Sequence, residues 1–373
     1  MDVKFEEKLQ NESCGYSLKL PFPNINERKS TEKLGTGNSH LVFDILPEEE
    51  EKMIFEGLNS EIQWGEMSHK GGLVPRLVCN QGTIYTNIES ENMKSSFRPI
   101  YRHPAANPPP LIPWTPHVNK IRKISEEICG HPLNHALIQL YRSGDDYISE
   151  HADKTLDIKE GSYICNYSCG AKRTMIFRWK KEARENDKAP VCNVDSKANQ
   201  KPEDLVVIKQ QQEAQNKIKN EKQNVRIQMK HNSLFLLDLH TNRHMLHSIK
   251  RDKRPVCEKT EEEVKEGGAR ISITFRWIHT FERISDGVLF GGGSRRKNIE
   301  VNEDGSTICL EANKNNAEDI MYASNENSSS QTVIEDGDKM LLGFSQENSD
   351  AKAFNWSAVY GSGFDAKEAP NFV

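Results

Sequence analysis

Arg270-Ile271-Ser272-Ile273-Thr274-Phe275-Arg276 alternates apolar and polar residues without a break, the period-2 pattern of a strand with two unlike faces. Ile271, Ile273 and Phe275 make one face; Arg270, Ser272, Thr274 and Arg276 make the other. A sheet with one wet side would also carry arginines. Here the polar face has a guanidinium at each end, about 20 Å apart for a rise of ~3.3 Å per residue. Long side chains can curl toward one another and grip a dianion such as 2-oxoglutarate. Guanidinium suits that task because it pairs bidentately with carboxylate and never loses its charge.

Upstream lies His151-Ala152-Asp153, with His247 far downstream. Side chains two apart on a strand point the same way, so His151 and Asp153 can clasp one ion from a single strand edge. Two imidazoles and one carboxylate on one face leave three adjacent metal positions open, which suits non-haem Fe(II) binding a co-substrate and O2.

The 373 residues suffice for one large or two modest domains. With 28% charged residues, the chain reads as hydrated, and nothing approaches the ~18 consecutive apolar residues of a membrane span. Met1-Asp2-Val3-Lys4-Phe5-Glu6-Glu7 lacks the apolar core of a signal peptide. The 8 cysteines are scattered without a CxxC pair, so neither a zinc module nor a disulfide framework is expected. A reducing intracellular compartment, nucleus or cytoplasm, fits best; Ser294-Arg295-Arg296-Lys297 is a weak nuclear signal. A net charge of −5 gives no global drive toward nucleic acid, so such binding must use a local basic face. A monomer is expected.

Composition divides the chain. Residues 1–35 read as a flexible polar arm, 36–131 as an N-terminal substrate-recognition region, 132–282 as the catalytic core and 283–373 as a C-terminal extension. Pro47 followed by Glu48, Glu49 and Glu50 predicts a helix start, with acids at the positive end of the dipole. Val118, Ile121, Ile124 and Ile128 recur at helical spacing and Gly130 supplies the stop. After residue 132 come the short alternating strands of a barrel or double-sheet roll. Residues 181–224, rich in Lys, Glu, Gln and Asn, have little to bury and read as a disordered insertion between strands. Strand character resumes at Val225-Arg226-Ile227-Gln228-Met229. Near the end, Asn355 to Phe364 carries three aromatics, the mark of a docked terminus.

Residues 132–282 resemble the AlkB family of Fe(II)- and 2-oxoglutarate-dependent dioxygenases, especially its nucleic-acid dealkylases and their fungal-type relatives. The similar runs are Asn134 to Tyr141, Asp146 to Asp153, Gly170 to Arg178, Thr241 to Ser248 and Arg270 to Arg276. Upstream, Gly72-Leu73-Val74-Pro75-Arg76 looks like the family's Pro-Arg turn before its base-recognition region. The resemblance implies an α+β fold with a double-stranded β-helix (jelly-roll) core and flanking N-terminal helices. It implies His151, Asp153 and His247 as iron ligands, with His247 preferred over His244. It assigns 2-oxoglutarate to Gln139, Tyr141, Arg270, Ser272 and Arg276, with Arg270 on the distal carboxylate and Arg276 nearer the metal. Arg76, Thr155 and Arg173 are the substrate-contact candidates, Arg173 and Arg178 being equally open to a solvent-facing reading.

Three positions depart from the family pattern. Gln139 and Ser272 each stand where the dealkylases usually have Asn; both can still hydrogen-bond a carboxylate. Thr155 stands where many dealkylases carry an acid against the damaged base, and a hydroxyl cannot offset the charge of an alkylated ring; Asp157 could swing in to fill that role. The implied function is oxidative demethylation of alkylated nucleic-acid bases, releasing formaldehyde, succinate and CO2. The alternatives are a hydroxylase or demethylase of a protein or small molecule, and a non-catalytic binding protein on the same fold.

Overall fold

The computed structural model describes residues 32–34, 38–69, 71–90, 93–105, 107–180, 224–297, 300–301, 308–309, 330–349 and 354–367. Two sheets pack face to face at its centre. The larger has eight strands in the order Glu32–Leu34, Ser39–Phe43, Ser233–Asp238, Tyr163–Gly170, Arg270–Arg276, His135–Tyr141, Leu77–Gly82 and Leu111–Ile112. The smaller has four, in the order Ile148–His151, Met245–Ile249, Arg173–Trp179 and Val225–Met229. Pairings within both are antiparallel except that Leu77–Gly82 lies parallel to Leu111–Ile112. This is the double-stranded β-helix expected from sequence, and its class is α+β.

The two faces of the Arg270–Arg276 strand go to different places. Ile271, Ile273 and Phe275 are fully buried in an apolar cluster with Ile54 and Leu58 of the Glu48–Glu61 helix and Val118, Ile121 and Ile128 of the Pro116–Cys129 helix. The polar face looks into the space between the sheets, where Tyr141, Phe177, Phe235 and Met245 form a second core. Burial of a whole apolar stripe against two helices is what fixes register, since a one-residue slip would turn the arginines into that core.

Both helices arise as their sequences suggest. Four glutamates fill the first turn after Pro47, where acids complement the dipole. The second helix begins at Pro116, two residues before its first apolar position, because proline is favoured at a first helical position. It stops at Gly130, whose φ of 76° is the left-handed conformation glycine adopts freely.

The sheet crosses the expected region boundaries: strands from 39–43, 77–82 and 111–112 join those of residues 132–282. Glu32–Leu34, placed by composition in the loose arm, is an edge strand paired with Ser39–Phe43. The rest of the 1–35 arm, apart from those three residues, and insertion residues 181–223 lie outside the described residues. A third sheet of four strands joins Met93–Pro99 to Thr280–Arg283. Among the described residues no helix is long and apolar enough to cross a membrane.

Candidate active site

His151 ends one strand and stands directly opposite His247 on the next; their rings lie 4.3 Å apart between centroids. Asp153 does not share that strand. The strand stops at His151, so alternation is not what aims the carboxylate. Instead the Asp153 N–H donates to Asn242 Oδ1 (2.9 Å), and Asn242 Nδ2 donates back to the Asp153 carbonyl (2.9 Å). Arg276 then donates to Asp153 Oδ2 from Nε (3.1 Å) and Nη2 (2.7 Å). Oδ1 is left facing His151, 3.9 Å from its Nε2. One ligand atom from each of His151, Asp153 and His247 lies within 4.8 Å of the others.

The protonation states suit a metal. Burial, helped by the neighbouring His247, lowers His151 to about 3, and burial lowers His247 as well. Neutral imidazole is the ligating form. Burial alone would raise Asp153, but the Arg276 guanidinium, through its charge and its hydrogen bonds, outweighs it and holds the carboxyl well below its usual range. The result is two neutral nitrogens and one anionic oxygen converging on one point, the donor set expected of non-haem Fe(II).

Strand register assembles the second half of the site. Arg270 is paired with Tyr141 and Ser272 with Gln139 on one side, and Ser272 with Ser168 on the other. Arg270 is fully buried. It donates from Nε to Ser168 Oγ (2.8 Å), and from Nη2 to Asn166 Oδ1 and Ser272 Oγ (both 3.3 Å). These partners are all neutral, and Nη1 has no partner among the described residues. Burial lowers this guanidinium to about 10, which still leaves it cationic near neutrality. An uncompensated buried charge costs several kcal/mol, so the cradle asks for an anion. Tyr141 donates to Gln139 beside it (2.9 Å), and Arg276 Nη1 is likewise buried and free of a partner among the described residues. The residues present therefore fit a dicarboxylate next to a metal.

A cavity of about 370 Å³ opens onto this arrangement, lined by the triad with Arg76, Gln139, Tyr141 and Arg276 among others. Arg76 sits in its wall and donates to the Tyr147 carbonyl (3.0 Å). The other two substrate candidates are placed elsewhere. Arg173 is neither at the mouth nor in solvent. It is buried, donating to the carbonyls of Ser143, Gly144, Asp146 and Lys250, because those turns leave orphan carbonyls that a planar five-donor group can satisfy. Thr155 is not among the cavity residues; its Oγ1 donates to Glu347 Oε1 (2.5 Å). Nor can Asp157 swing in, since it is locked to Arg102 in a buried ion pair of 2.6 Å.

Arg178 pairs with Glu150 (2.6 Å). The His244 ring lies tilted beside that of His240 (4.3 Å between centroids), outside the triad. The basic run at 295–297 is spent internally: Arg295 meets Asp336, Arg296 meets Asp365, and Lys297 caps the Gly292 and Ser294 carbonyls. Exposed Lys250, Arg251 and Lys253 follow the His247 strand, with Arg251 over the Tyr147 ring at the cavity (4.6 Å).

Sequence reasoning missed four contributors. Asn166 and Ser168 reach Arg270 from the adjacent strand, and only register reveals them. Tyr101 lies under the Arg276 guanidinium at 4.1 Å and accepts from the Lys154 N–H. Asn242 was legible as part of the Thr241-Asn242 run before His247, but its bond to Asp153 spans 89 residues.

Residues 39–276 match the family model described as the 2OG-Fe(II) oxygenase superfamily. The chain is 29% identical over 166 residues to the "DNA oxidative demethylase ALKBH2" of Mus musculus, covering 44% of this chain and 52% of that one. It is 28% identical to the protein of the same name from Homo sapiens, covering 44% and 48%. The chain thus spans about half the length of the curated relatives it matches. A solved structure titled "The structure of OsALKBH1" covers 66% of this chain at 12% identity and a TM-score of 0.37, a likeness too slight to add to the assignment. The match takes in the smaller sheet, all of the larger one but its Glu32–Leu34 edge strand, the triad and the arginine strand, and the chain belongs to the 2OG-Fe(II) oxygenase superfamily as a member of AlkB type, with Fe(II) and 2-oxoglutarate as its cofactors.

Proposed function

We propose that this chain is a dioxygenase that oxidatively demethylates alkylated nucleic-acid bases, consuming 2-oxoglutarate and O2 and releasing formaldehyde, succinate and CO2. The observation that carries the chemistry is the buried, countercharge-free Arg270 beside a preformed His151–Asp153–His247 cluster. His151, Asp153 and His247 hold Fe(II). Arg270, with Tyr141, Gln139 and Ser272, takes the distal carboxylate of 2-oxoglutarate; Arg276 lies nearer the metal and keeps Asp153 aimed at it. When bound, the iron and its co-substrate supply an O2-derived oxidant able to attack an otherwise inert N-methyl group. The protein's own part is placement and exclusion of water. Tyr101 covers one side of Arg276, and the cavity falls in the ~300–1,000 Å³ range of ligand sites.

The nucleic-acid substrate is supported by the names of the relatives and by the exposed cations Lys250, Arg251 and Lys253 that follow the His247 strand, with Arg251 over the cavity-lining Tyr147, the local basic face a net-negative chain would need. Gly72 to Arg76, which line the cavity, are the proposed recognition element. Five described cysteines are free, in keeping with a reducing nuclear or cytoplasmic setting. A second reading keeps the chemistry on a protein or small-molecule substrate; it is favoured by the engagement of Thr155 with Glu347, which leaves no acid at that position facing the cavity.

Formaldehyde release from a panel of methylated DNA and RNA oligonucleotides, with Fe(II), ascorbate and 2-oxoglutarate, tests the proposal. Formaldehyde from any methylated base supports it. Succinate without formaldehyde on every oligonucleotide would move the assignment to the second reading, and neither product would leave a binding protein on this fold.

A further inference from the structure

The C-terminal extension closes on the residues around Asp153. Asn348, at the end of the Ser330–Ser349 helix, accepts at Oδ1 from the Ala152 N–H (3.1 Å) and from Lys154 Nζ (2.6 Å). Both partners are donors, which fixes the amide with its oxygen toward them. Glu347 Oε1 accepts from the Thr155 N–H (2.9 Å) and hydroxyl (2.5 Å), while Oε2 accepts from Tyr360 Oη (2.6 Å). Lys180 Nζ donates to the Glu347 carbonyl. Leu156 is the one residue of the metal-ligand segment in an apolar cluster otherwise made by Met340, Phe344, Phe354, Tyr360 and Phe364. Asp157 is held by Arg102, which donates also to the carbonyls of Gly293, Phe364 and Ala366.

Around the metal ligand, Ala152, Lys154, Thr155 and Leu156 each touch the extension, and Asp157 reaches it through Arg102. The extension contributes a buried carboxylate and an amide whose hydrogen bonds land on the backbone at both sides of Asp153. Asn348 also lines the cavity that holds the triad. Among the described residues nothing comparable holds His247, which is fixed by its place inside a sheet with strands on either side. Asp153, beyond the end of its strand, has no such frame.

We propose that Asn348 and Glu347 are positioning residues for the metal, setting the backbone on both sides of Asp153 so that metal affinity depends on a segment about 190 residues away in sequence. The inference rests on the triad being the metal site and goes beyond it in giving the extension a part in that site. The expected size follows from partners of metal ligands generally, whose removal costs roughly 10- to 100-fold in affinity.

The test is titration of the full chain with Mn(II), a redox-stable stand-in for Fe(II), by the electron paramagnetic resonance signal of the free ion, with melting of the metal-free protein followed in parallel. Asn348→Ala should weaken Mn(II) binding about tenfold or more. Asn348→Asp keeps an oxygen for both the Ala152 N–H and Lys154, and should bind within about threefold of wild type. Thr155→Val, which removes one donor to Glu347 without opening the core, should weaken binding by a smaller factor; it carries the test if Asn348→Ala does not fold. Unchanged Mn(II) affinity in folded Asn348→Ala, or in Thr155→Val where the former does not fold, would overturn the proposal. So would Asn348→Asp binding as poorly as Asn348→Ala. If wild type and Asp153→Ala bind Mn(II) equally, the metal site itself is wrongly placed; the two failures are distinguishable.

Discussion

Arg276 grips one oxygen of Asp153 through two hydrogen bonds, from Nε at 3.1 Å and Nη2 at 2.7 Å, and leaves the other oxygen facing His151. A residue expected to hold co-substrate therefore also orients a metal ligand. Arg276→Ala should then weaken Mn(II) binding roughly 10- to 100-fold even without 2-oxoglutarate. Metal titration in the absence of co-substrate checks this; an effect seen only when 2-oxoglutarate is present would confine Arg276 to the co-substrate.

The choice between the two histidines of the Arg243–His247 run is testable by the same titration. His247→Ala removes one of three ligands and should abolish measurable Mn(II) binding and succinate formation. His244→Ala should retain both, since its ring lies with His240 outside the cluster. The reverse pattern would reject the assignment.

Arg270 is a buried cation whose described partners are all neutral, so its role can be separated from its cost. Arg270→Ala should weaken 2-oxoglutarate binding by about 2–5 kcal/mol, the price of truncating one side of a buried charged pair. Arg270→Lys should recover only part of it, because an ammonium cannot reproduce the planar fork. Arg270→Met should leave the metal-free protein at least as stable as wild type, as hydrophobic replacement of buried charge often does, yet no longer stabilised by added 2-oxoglutarate. Thermal melts with and without co-substrate read both effects; a large loss of stability in Arg270→Met would show that the hydroxyl cradle already satisfies the cation.

From sequence, Thr155→Glu is expected to favour cationic bases such as N1-methyladenine. The structure changes that expectation. The new carboxylate would meet Glu347, itself buried and raised above its ordinary value by burial. Two carboxylates in one buried place cannot both ionise cheaply. Thr155→Glu should therefore lower stability at neutral pH by about 1–3 kcal/mol, through the lost hydrogen bond and the added desolvation, and leave the ratio of activity on cationic and neutral bases unmoved. Denaturant melts at pH 7 and paired assays on the two base types are the measurements; a shifted ratio with unchanged stability would return Thr155 to the substrate.

Sequence by itself determined the Arg270–Arg276 strand, its two faces and both N-terminal helices, and through its family resemblance it pointed to His151, Asp153 and His247, which the structure brings together. The strand and helices are carried by local periodicity, which does not depend on what packs nearby. Tertiary structure alone decided what each polar side chain meets. Arg173 and Arg270 look alike along the chain, yet one satisfies backbone carbonyls and the other waits for an anion, because strand register and turn placement chose their neighbours. Asp153 is aimed by Asn242 and Arg276, and its flanking backbone is held by Glu347 and Asn348, through bonds spanning 89 to 196 residues. Contacts of that span leave no period in the sequence; they exist only once the sheets have closed and the extension has docked over the loop.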